Sequence, residues 1–247
     1  MEVRNITLFG YKSHNILFID SEYSQEDSIR FNRYMILHED CGVLLGSSGF
    51  SVVPRVYAEM LRYTAGSQSL KAVLSSQSSG MANGFMHRFD LGSPPTRICE
   101  VSMCFLSNDG VEGVKSFIEV PDEGMSCFIS PGFDLVLVPE LFQSEGRFSV
   151  YDPVSKMLFT SEIGAAIRPQ DQNGVYVDEF VSCLPYVETS RWQTMRPEHI
   201  SSWMEAIAKL DVNVLAPRYG PFYRGQAVKD FLAWFRDLAR GNRLMAE

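Results

Sequence analysis

Side chains that could ligate a metal or attack a substrate are scattered along this 247-residue chain. The four histidines are His14, His38, His87 and His199. Only His38 is followed directly by acidic residues, and consecutive residues in a tight turn point in different directions, which predicts a solvated hairpin tip. The serine-rich stretch 75–79 offers hydroxyl groups, but no His–Asp pattern marks a nucleophile. No glycine-rich phosphate-binding motif occurs in the sequence.

The elements that must position these side chains are short strands followed by helices. Apolar runs bounded by turn residues predict strands at 16–19, 31–37, 43–45, 71–74, 125–129 and 135–138. Residues 148–153 and 157–160 resemble a hairpin whose turn is 152–156. Helical spacing of apolar residues predicts helices at 200–210 and 227–239, and an earlier one that carries Val53, Tyr57, Met60 and Leu61. Strands followed by alternating strands and helices indicate an α/β protein with two sheets flanked by helices.

Composition and charge narrow the function classes. The formal charge of −8 disfavours binding to nucleic acid or to an anionic membrane. The five cysteines show no C-x-x-C pair, which favours buried reduced thiols and a cytoplasmic location. We expect neither a membrane span nor a signal peptide, because no apolar run approaches roughly 20 residues and residues 1–5 lack a basic stretch followed by a long apolar core. We expect a single domain over residues 1–247.

Three segments, 148–153, 158–166 and 215–225, resemble the metallo-β-lactamase-fold domain of flavodiiron proteins. The similarity extends from about Asn32 to the C-terminal helix, and is greatest to stand-alone oxygen-binding di-iron proteins linked to bacterial chemotaxis. The resemblance implies an αββα sandwich, metal-binding loops along one edge of the two sheets, and dimers. The flavodoxin domain that binds flavin in flavodiiron proteins is expected to be missing.

The chain departs from this family at the positions of the metal ligands. Those positions hold Ser76, Ser78, Gly80, Gln143, Glu162 and Tyr219. A di-metal centre needs imidazoles and carboxylates, and this set supplies one carboxylate and no imidazole. We therefore expect these residues to line a former metal pocket, with no catalytic residue, no metal and no cofactor. A residual polar site could be formed by Glu140, Glu162 and His87, or the two glutamates could instead be hydrogen-bonded or paired with Arg147, Arg218 or Arg224.

Two classes of function remain open. The first is a non-catalytic pseudoenzyme that acts as a signalling, scaffold or ligand-sensing protein, as a homodimer or as a heterodimer with a related chain, with a signalling protein as a further partner. The second is an oxygen-binding or hydrolytic metalloprotein that holds iron through an unconventional ligand set, built from Glu140, Glu162, Gln143, Tyr219 and, as a further candidate, His87. The donor set favours the first class, because neutralising two metal ions takes more anionic ligands than the matched positions retain.

Overall fold

The computed structural model describes residues 3–21, 32–45, 69–74, 100–107, 110–119, 124–140, 147–161, 163–166, 176–180 and 196–240. A five-stranded sheet contains, in this order, β1 Val3–Tyr11, β2 His14–Ser21, β3 Arg33–His38, β4 Cys41–Leu45 and β5 Ser69–Leu74. A separate hairpin consists of β6 Glu100–Ser107 and β7 Gly110–Glu119. A seven-stranded sheet contains β8 Met125–Ser130, β9 Phe133–Glu140, β10 Arg147–Asp152, β11 Met157–Thr160, β12 Tyr176–Val177, β13 Val214–Pro217 and β14 Phe222–Arg224. The helices among these residues are α1 Pro197–Ile207 and α2 Gln226–Ala239.

The pairing of the seven-stranded sheet brings three loops to one edge. Its strand order is β12-β14-β13-β11-β10-β9-β8. The strands β11 and β13 are parallel, with Thr160 opposite Pro217, so both strands end at the same edge. The antiparallel pair β9 and β10 places Glu140 opposite Arg147, at the end of β9 and the start of β10. The loops that follow β9, β11 and β13 therefore leave the sheet at a common edge.

One apolar core lies between the two large sheets. Side chains from one face of the five-stranded sheet, such as Phe18 and Ile36, are buried with Leu137 and Phe159 of the seven-stranded sheet. The strand β3 is buried along most of its length because it lies in the middle of its sheet, between β2 and β4. Burial of each large apolar side chain contributes about 1.5–3 kcal/mol, so this core is the main attraction between the sheets.

A second core joins the opposite face of the seven-stranded sheet to both helices. Leu158 and Leu215 of the sheet pack with Trp203 of α1 and Phe235 of α2. The rings of Trp203 and Phe235 meet edge to face at 5.6 Å, an arrangement that aromatic pairs favour. The described residues therefore show the layer order sheet, sheet, helix. The helix predicted around Val53, which would cover the other sheet, lies outside the described residues.

The predicted strands and the 148–160 hairpin are confirmed in the parts that the structure describes. The helix predicted at 200–210 is real but begins earlier, at Pro197, and ends at Ile207. Proline suits the first helical turn, where its missing N–H is not needed. Across the described residues, neither helix combines the length and apolar character that a membrane crossing requires.

Candidate functional site

The loop 217–220, which carries Tyr219, is held by the five-stranded sheet. The Asn32 side-chain amide donates to the carbonyl oxygens of Pro217 at 2.8 Å and of Gly220 at 2.9 Å. The Tyr34 hydroxyl donates to the same Pro217 oxygen at 2.6 Å, and the Asn32 N–H donates to the Arg218 oxygen at 2.6 Å. Because Asn32 is buried, these bonds are shielded from competition with water. The loop is therefore fixed at the junction between the sheets.

Two glycines give this edge its close backbone contacts. Gly220 has φ +92°, and a Cβ atom there would lie 2.2 Å from the Ala166 carbonyl oxygen. Gly164 has φ +78°, and its Cβ atom would lie 2.6 Å from the Leu215 side chain. Both positions combine a left-handed backbone with a contact that any larger residue would disrupt. The Tyr223 hydroxyl also donates to the Gly164 oxygen at 2.9 Å, which ties this turn to β14.

Glu140, at the end of β9, is the centre of a buried hydrogen-bond network. Its side chain is 2% exposed. Its Oε1 atom accepts from the Ser149 hydroxyl at 2.6 Å and from the Ser161 N–H at 2.9 Å. The Trp203 indole N–H of α1 donates to the Ser149 oxygen at 3.2 Å. The network links the helical layer to the turn after β11, which leads directly into Glu162.

The same turn connects Glu140 with the Tyr219 loop. Ser161 gives its N–H to Glu140, and its carbonyl oxygen accepts from the Arg218 N–H at 3.1 Å. The Tyr219 carbonyl oxygen in turn accepts from the Ala166 N–H at 3.4 Å. The structure thus brings two of the predicted site residues, Glu140 and Tyr219, to one edge. Tyr219 is 6% exposed, so its phenol is largely withdrawn from solvent.

The other predicted site residues cannot be located in the same way. Ser76, Ser78, Gly80, His87, Gln143 and Glu162 lie outside the described residues. The strands that precede these loops are nevertheless in place: β5 ends at Leu74, β9 at Glu140 and β11 at Thr160. Among the arginines considered as partners for the glutamates, Arg224 instead pairs with Asp178, through two hydrogen bonds on the protein surface.

One donor at this edge, the Tyr219 phenol, is of a type that binds iron. Within the described part of the chain, no group of three or more His, Cys, Asp and Glu side chains could hold a metal ion. A buried phenol such as Tyr219 can act as an anionic oxygen ligand after losing its proton, and tyrosine ligates iron in some proteins. Glu140 is engaged with Ser149 and Ser161, so its visible role is to position the turn that leads to Glu162.

The residues that support this edge were not identifiable from the sequence. The Asn32 side chain donates to the carbonyl oxygen of Gly220, 188 residues away, and the Tyr34 hydroxyl donates to that of Pro217, 183 residues away. Ser149 and Trp203 are ordinary residues of a strand and a helix until the fold places them beside Glu140. The signal in the sequence was that Asn32 and Tyr34 fall within the strand predicted at 31–37.

Solved structures of similar fold cover nearly the whole chain. A structure described as the peroxy diiron species of the chemotaxis sensor ODP has 23% identity and a TM-score of 0.70, and the match covers 94% of each chain. The apo state of chemotaxis sensor ODP from T. denticola has 22% identity and a TM-score of 0.68, over 95% of this chain and 94% of that one. A mutant flavo di-iron protein from Thermotoga maritima has 15% identity and a TM-score of 0.67, over 97% of this chain and 62% of that one. At these identities the likeness is one of fold.

These neighbours correct one expectation. From the poor donor set we expected no cofactor, with iron as the alternative. The similar structures include a peroxy diiron protein and flavo di-iron proteins, and they point to iron. The expectation of no cofactor is therefore wrong. It rested on the identity of side chains at matched positions and gave too little weight to oxygen donors.

The sequence itself also identifies a family. Comparison with curated proteins gives no match. The family described as "ODP family beta lactamase" matches residues 29–220, which include the β9–β11 strands, the Ser161 turn and the Tyr219 loop. The match covers more than half of the chain and the edge at which the site residues meet. This chain belongs to the ODP family of β-lactamase-fold proteins.

Proposed function

We propose that this chain is a non-catalytic, ligand-sensing signalling protein whose sheet-edge loops bind iron through oxygen donors. The observation that carries the proposal is the rigid seat of the Tyr219 loop. Asn32, the residue before β3, holds this loop by hydrogen bonds to Pro217, Arg218 and Gly220, and Tyr34 of β3 donates a second bond to Pro217. A loop that served only as a connection would not need protein donors for three of its carbonyl groups, because surface loops satisfy their carbonyl groups with water.

The ligand set follows from donor chemistry. Tyr219 would supply a phenolate, Glu162 a carboxylate and Gln143 an amide oxygen. Glu140 accepts from the Ser161 N–H and so fixes the residue that directly precedes Glu162 in the sequence. Oxygen ligands of this kind suit a hard ion such as ferric iron. When bound, iron would supply a redox-active centre that responds to an oxidant or a small ligand.

The lack of histidine at the positions matched to the family's ligands favours a sensing role over catalytic turnover. The positions matched to the family's ligands carry no imidazole, which is the most common general base in enzymes. The described residues at the edge are instead engaged in hydrogen bonds that hold the backbone, as Glu140 and Asn32 illustrate. A change at the Tyr219 loop would act on Asn32 and Tyr34, and a change at the Ser161 turn would act on Trp203 of α1 through Glu140 and Ser149. Through these contacts a structural change at the site would be transmitted both to the five-stranded sheet and to α1.

The proposal includes an organisation for the whole chain. Residues 1–247 form one αββα domain, in which the helix predicted around Val53 supplies the second outer layer. The protein works as a homodimer, or as a heterodimer with a related chain, and passes its signal to a protein partner. A cytoplasmic location agrees with Cys41 and Cys127, which are buried thiols rather than half-cystines. Burial, aided by Asp134, raises the pKa of the Cys127 thiol, so this residue is a poor candidate for a reactive sensor cysteine.

A matched pair of tyrosine variants tests the ligand assignment. The wild-type protein, loaded with ferric iron, should show a visible phenolate-to-iron charge-transfer band. Tyr219→Phe should lose this band, whereas Tyr223→Phe should keep it, because the Tyr223 hydroxyl is bonded to the Gly164 oxygen. A band that persists in Tyr219→Phe, or iron-loaded wild-type protein without the band, contradicts the assignment. Size-exclusion chromatography with light scattering tests the dimer in the same samples.

A further inference from the structure

A line of three buried or half-buried side chains crosses between the two large sheets. His14 of β2 makes a 2.8 Å contact from Nε2 to Oδ2 of Asp152, which ends β10. The other ring nitrogen of His14, Nδ1, lies 3.0 Å from Nδ1 of His38, which ends β3. His14 is 2% exposed and Asp152 is 0% exposed. We call these three residues the His38–His14–Asp152 relay.

The Asp152 carboxylate fixes the proton arrangement at one end. Burial, the largest influence, acts to raise the pKa of Asp152, but hydrogen bonds from His14, Ser155 and the Val154 N–H outweigh it and the pKa lies below its ordinary value. The Ser155 hydroxyl and N–H both donate to Oδ2, at 2.5 and 3.2 Å. An ionised carboxylate only accepts, so Nε2 of His14 must carry a proton.

The contact between the two imidazoles then has room for a single proton. If both rings are neutral, Nδ1 of His38 donates to Nδ1 of His14. If one further proton binds, it rests on His14 beside Asp152, and the direction of the Nδ1–Nδ1 bond reverses. A second further proton would place two N–H groups against each other across 3.0 Å. The pair can therefore hold one added proton in place, but two only if the contact breaks.

A metal ion is a poorer explanation of this contact. No group of three suitable ligands exists among the described residues, which include His14, His38, Cys41 and Asp152. The Cys41 thiol is directed to the Asp40 carboxylate at 3.3 Å. Moreover, the two partners of His14 lie on opposite sides of its ring, so one ion could not replace both contacts.

The surroundings of the relay contain few other charges. Phe9 of β1 and Phe133 of β9 pack edge to face on the His14 ring, with centroids 6.1 and 5.5 Å away. Cys41 lies opposite His38 on β4, and Tyr11 lies opposite His14 on β1. On the side of the five-stranded sheet, the nearby ionisable groups are Lys12, Glu39 and Asp40, all exposed, in the two turns joined by the Glu39 N–H to Ser13 oxygen bond. On the other side they are Tyr151, next to Asp152 on β10, and Lys156 in the turn after β10, which pairs with Asp211. Aromatic walls thus shield the relay, and Asp152 is its one buried charge in the described part of the chain.

We propose that the His38–His14–Asp152 relay is a one-proton binding site that joins the two sheets and releases them in acid. An unperturbed imidazole has a pKa of about 6.5, so the unfolded chain binds two protons at these histidines below that pH. The intact relay binds one. The folding equilibrium constant should therefore fall about tenfold for each pH unit below about 6.5, through the proton that the relay excludes. The relay lies at the opposite end of β10 from the Glu140 network, so this effect is independent of iron binding.

The test is urea unfolding of the full chain between about pH 5 and pH 8, the range in which imidazoles titrate. His38→Asn keeps a polar group near the Nδ1 position but removes one titrating site. As the pH falls below about 6.5, the folding equilibrium constant of the wild type should therefore fall by an additional factor of about ten per pH unit compared with that of this variant. His199→Asn, on the outer helix α1, should retain the wild-type slope. Equal slopes in wild type and His38→Asn overturn the proposal.

Nitrogen NMR of the imidazole side chains gives a second measurement that needs no variant to fold. At about pH 7 the wild type should show a coupling through the hydrogen bond between the two Nδ1 nuclei, and protonation should reverse the side that carries the proton. Two histidines that titrate independently, without such a coupling, overturn the proposal as well.

Discussion

Replacing Asn32 by alanine tests how the Tyr219 loop is held. The substitution removes two buried hydrogen bonds, to the carbonyl oxygens of Pro217 and Gly220. The Pro217 oxygen keeps its bond from Tyr34, so its loss is that of an ordinary hydrogen bond, about 0.5–1.5 kcal/mol. Poorer satisfaction of the Gly220 oxygen costs about 1–3 kcal/mol more. Together, Asn32→Ala should lower the free energy of unfolding by about 1.5–4.5 kcal/mol.

The assay is equilibrium unfolding in urea, with the free energy extrapolated linearly to water. Asn213→Ala is the matched control, because that side chain is exposed and the Asn213 backbone bonds to Lys156 and Gly225 survive the change. The control should stay within about 0.5 kcal/mol of the wild type. If Asn32→Ala is no less stable than this control, the two side-chain bonds do not hold the loop and the reasoning fails.

Three further predictions concern other buried contacts. Gly220→Ala should abolish stable folding or cost several times the roughly 1–3 kcal/mol of backbone strain at a positive φ, because its Cβ would strike the Ala166 backbone. Gly225→Ala meets no atom within 4 Å and should cost only such strain; thermal unfolding compares the two variants. Ser149→Ala should lower the free energy of unfolding by about 1.5–3 kcal/mol, because it removes the hydrogen bond to the Glu140 carboxylate. Ser126→Ala, at an exposed position, should change it very little. Equal stabilities of the two variants in urea would contradict the proposed network. Because the folded-state pKa of Asp152 is lowered, its carboxylate stabilises the fold above about pH 3.9 and this contribution is lost as the pH falls through the lower folded value. Asp152→Asn should remove that part of the acid sensitivity below about pH 4, and an unchanged profile of unfolding free energy against pH would refute it.

Local patterns were enough to predict much of the framework. The hairpin of β10 and β11 was visible because two apolar runs flank the turn sequence Asp152–Lys156, in which the Asp152 carboxylate accepts from the Val154 and Ser155 N–H groups. The strand β9 and the helix α2 were visible from their apolar periodicity. The position of Tyr219 at the sheet edge followed from the family resemblance and from the strand that precedes it.

Contacts between distant segments could not be predicted from local sequence patterns. His38 was expected at a solvated hairpin tip, but it is half-buried and bonded to His14, because the register of β2 with β3 places the two side by side. Asp152 meets His14 across 138 residues, and nothing local to either residue signals the pair. The strand β1 was also missed, since its pairing with β2 is an edge contact whose register only the folded sheet defines.

The most direct test of the proposed function is the metal content of untagged protein, produced with iron and zinc in the medium and analysed by mass spectrometry. The account predicts that iron copurifies in a fixed ratio to the chain and that Tyr219→Phe lowers this ratio, while Tyr223→Phe does not. Folded wild-type protein that contains no iron under these conditions, or that binds the same amount after Tyr219→Phe, would contradict it.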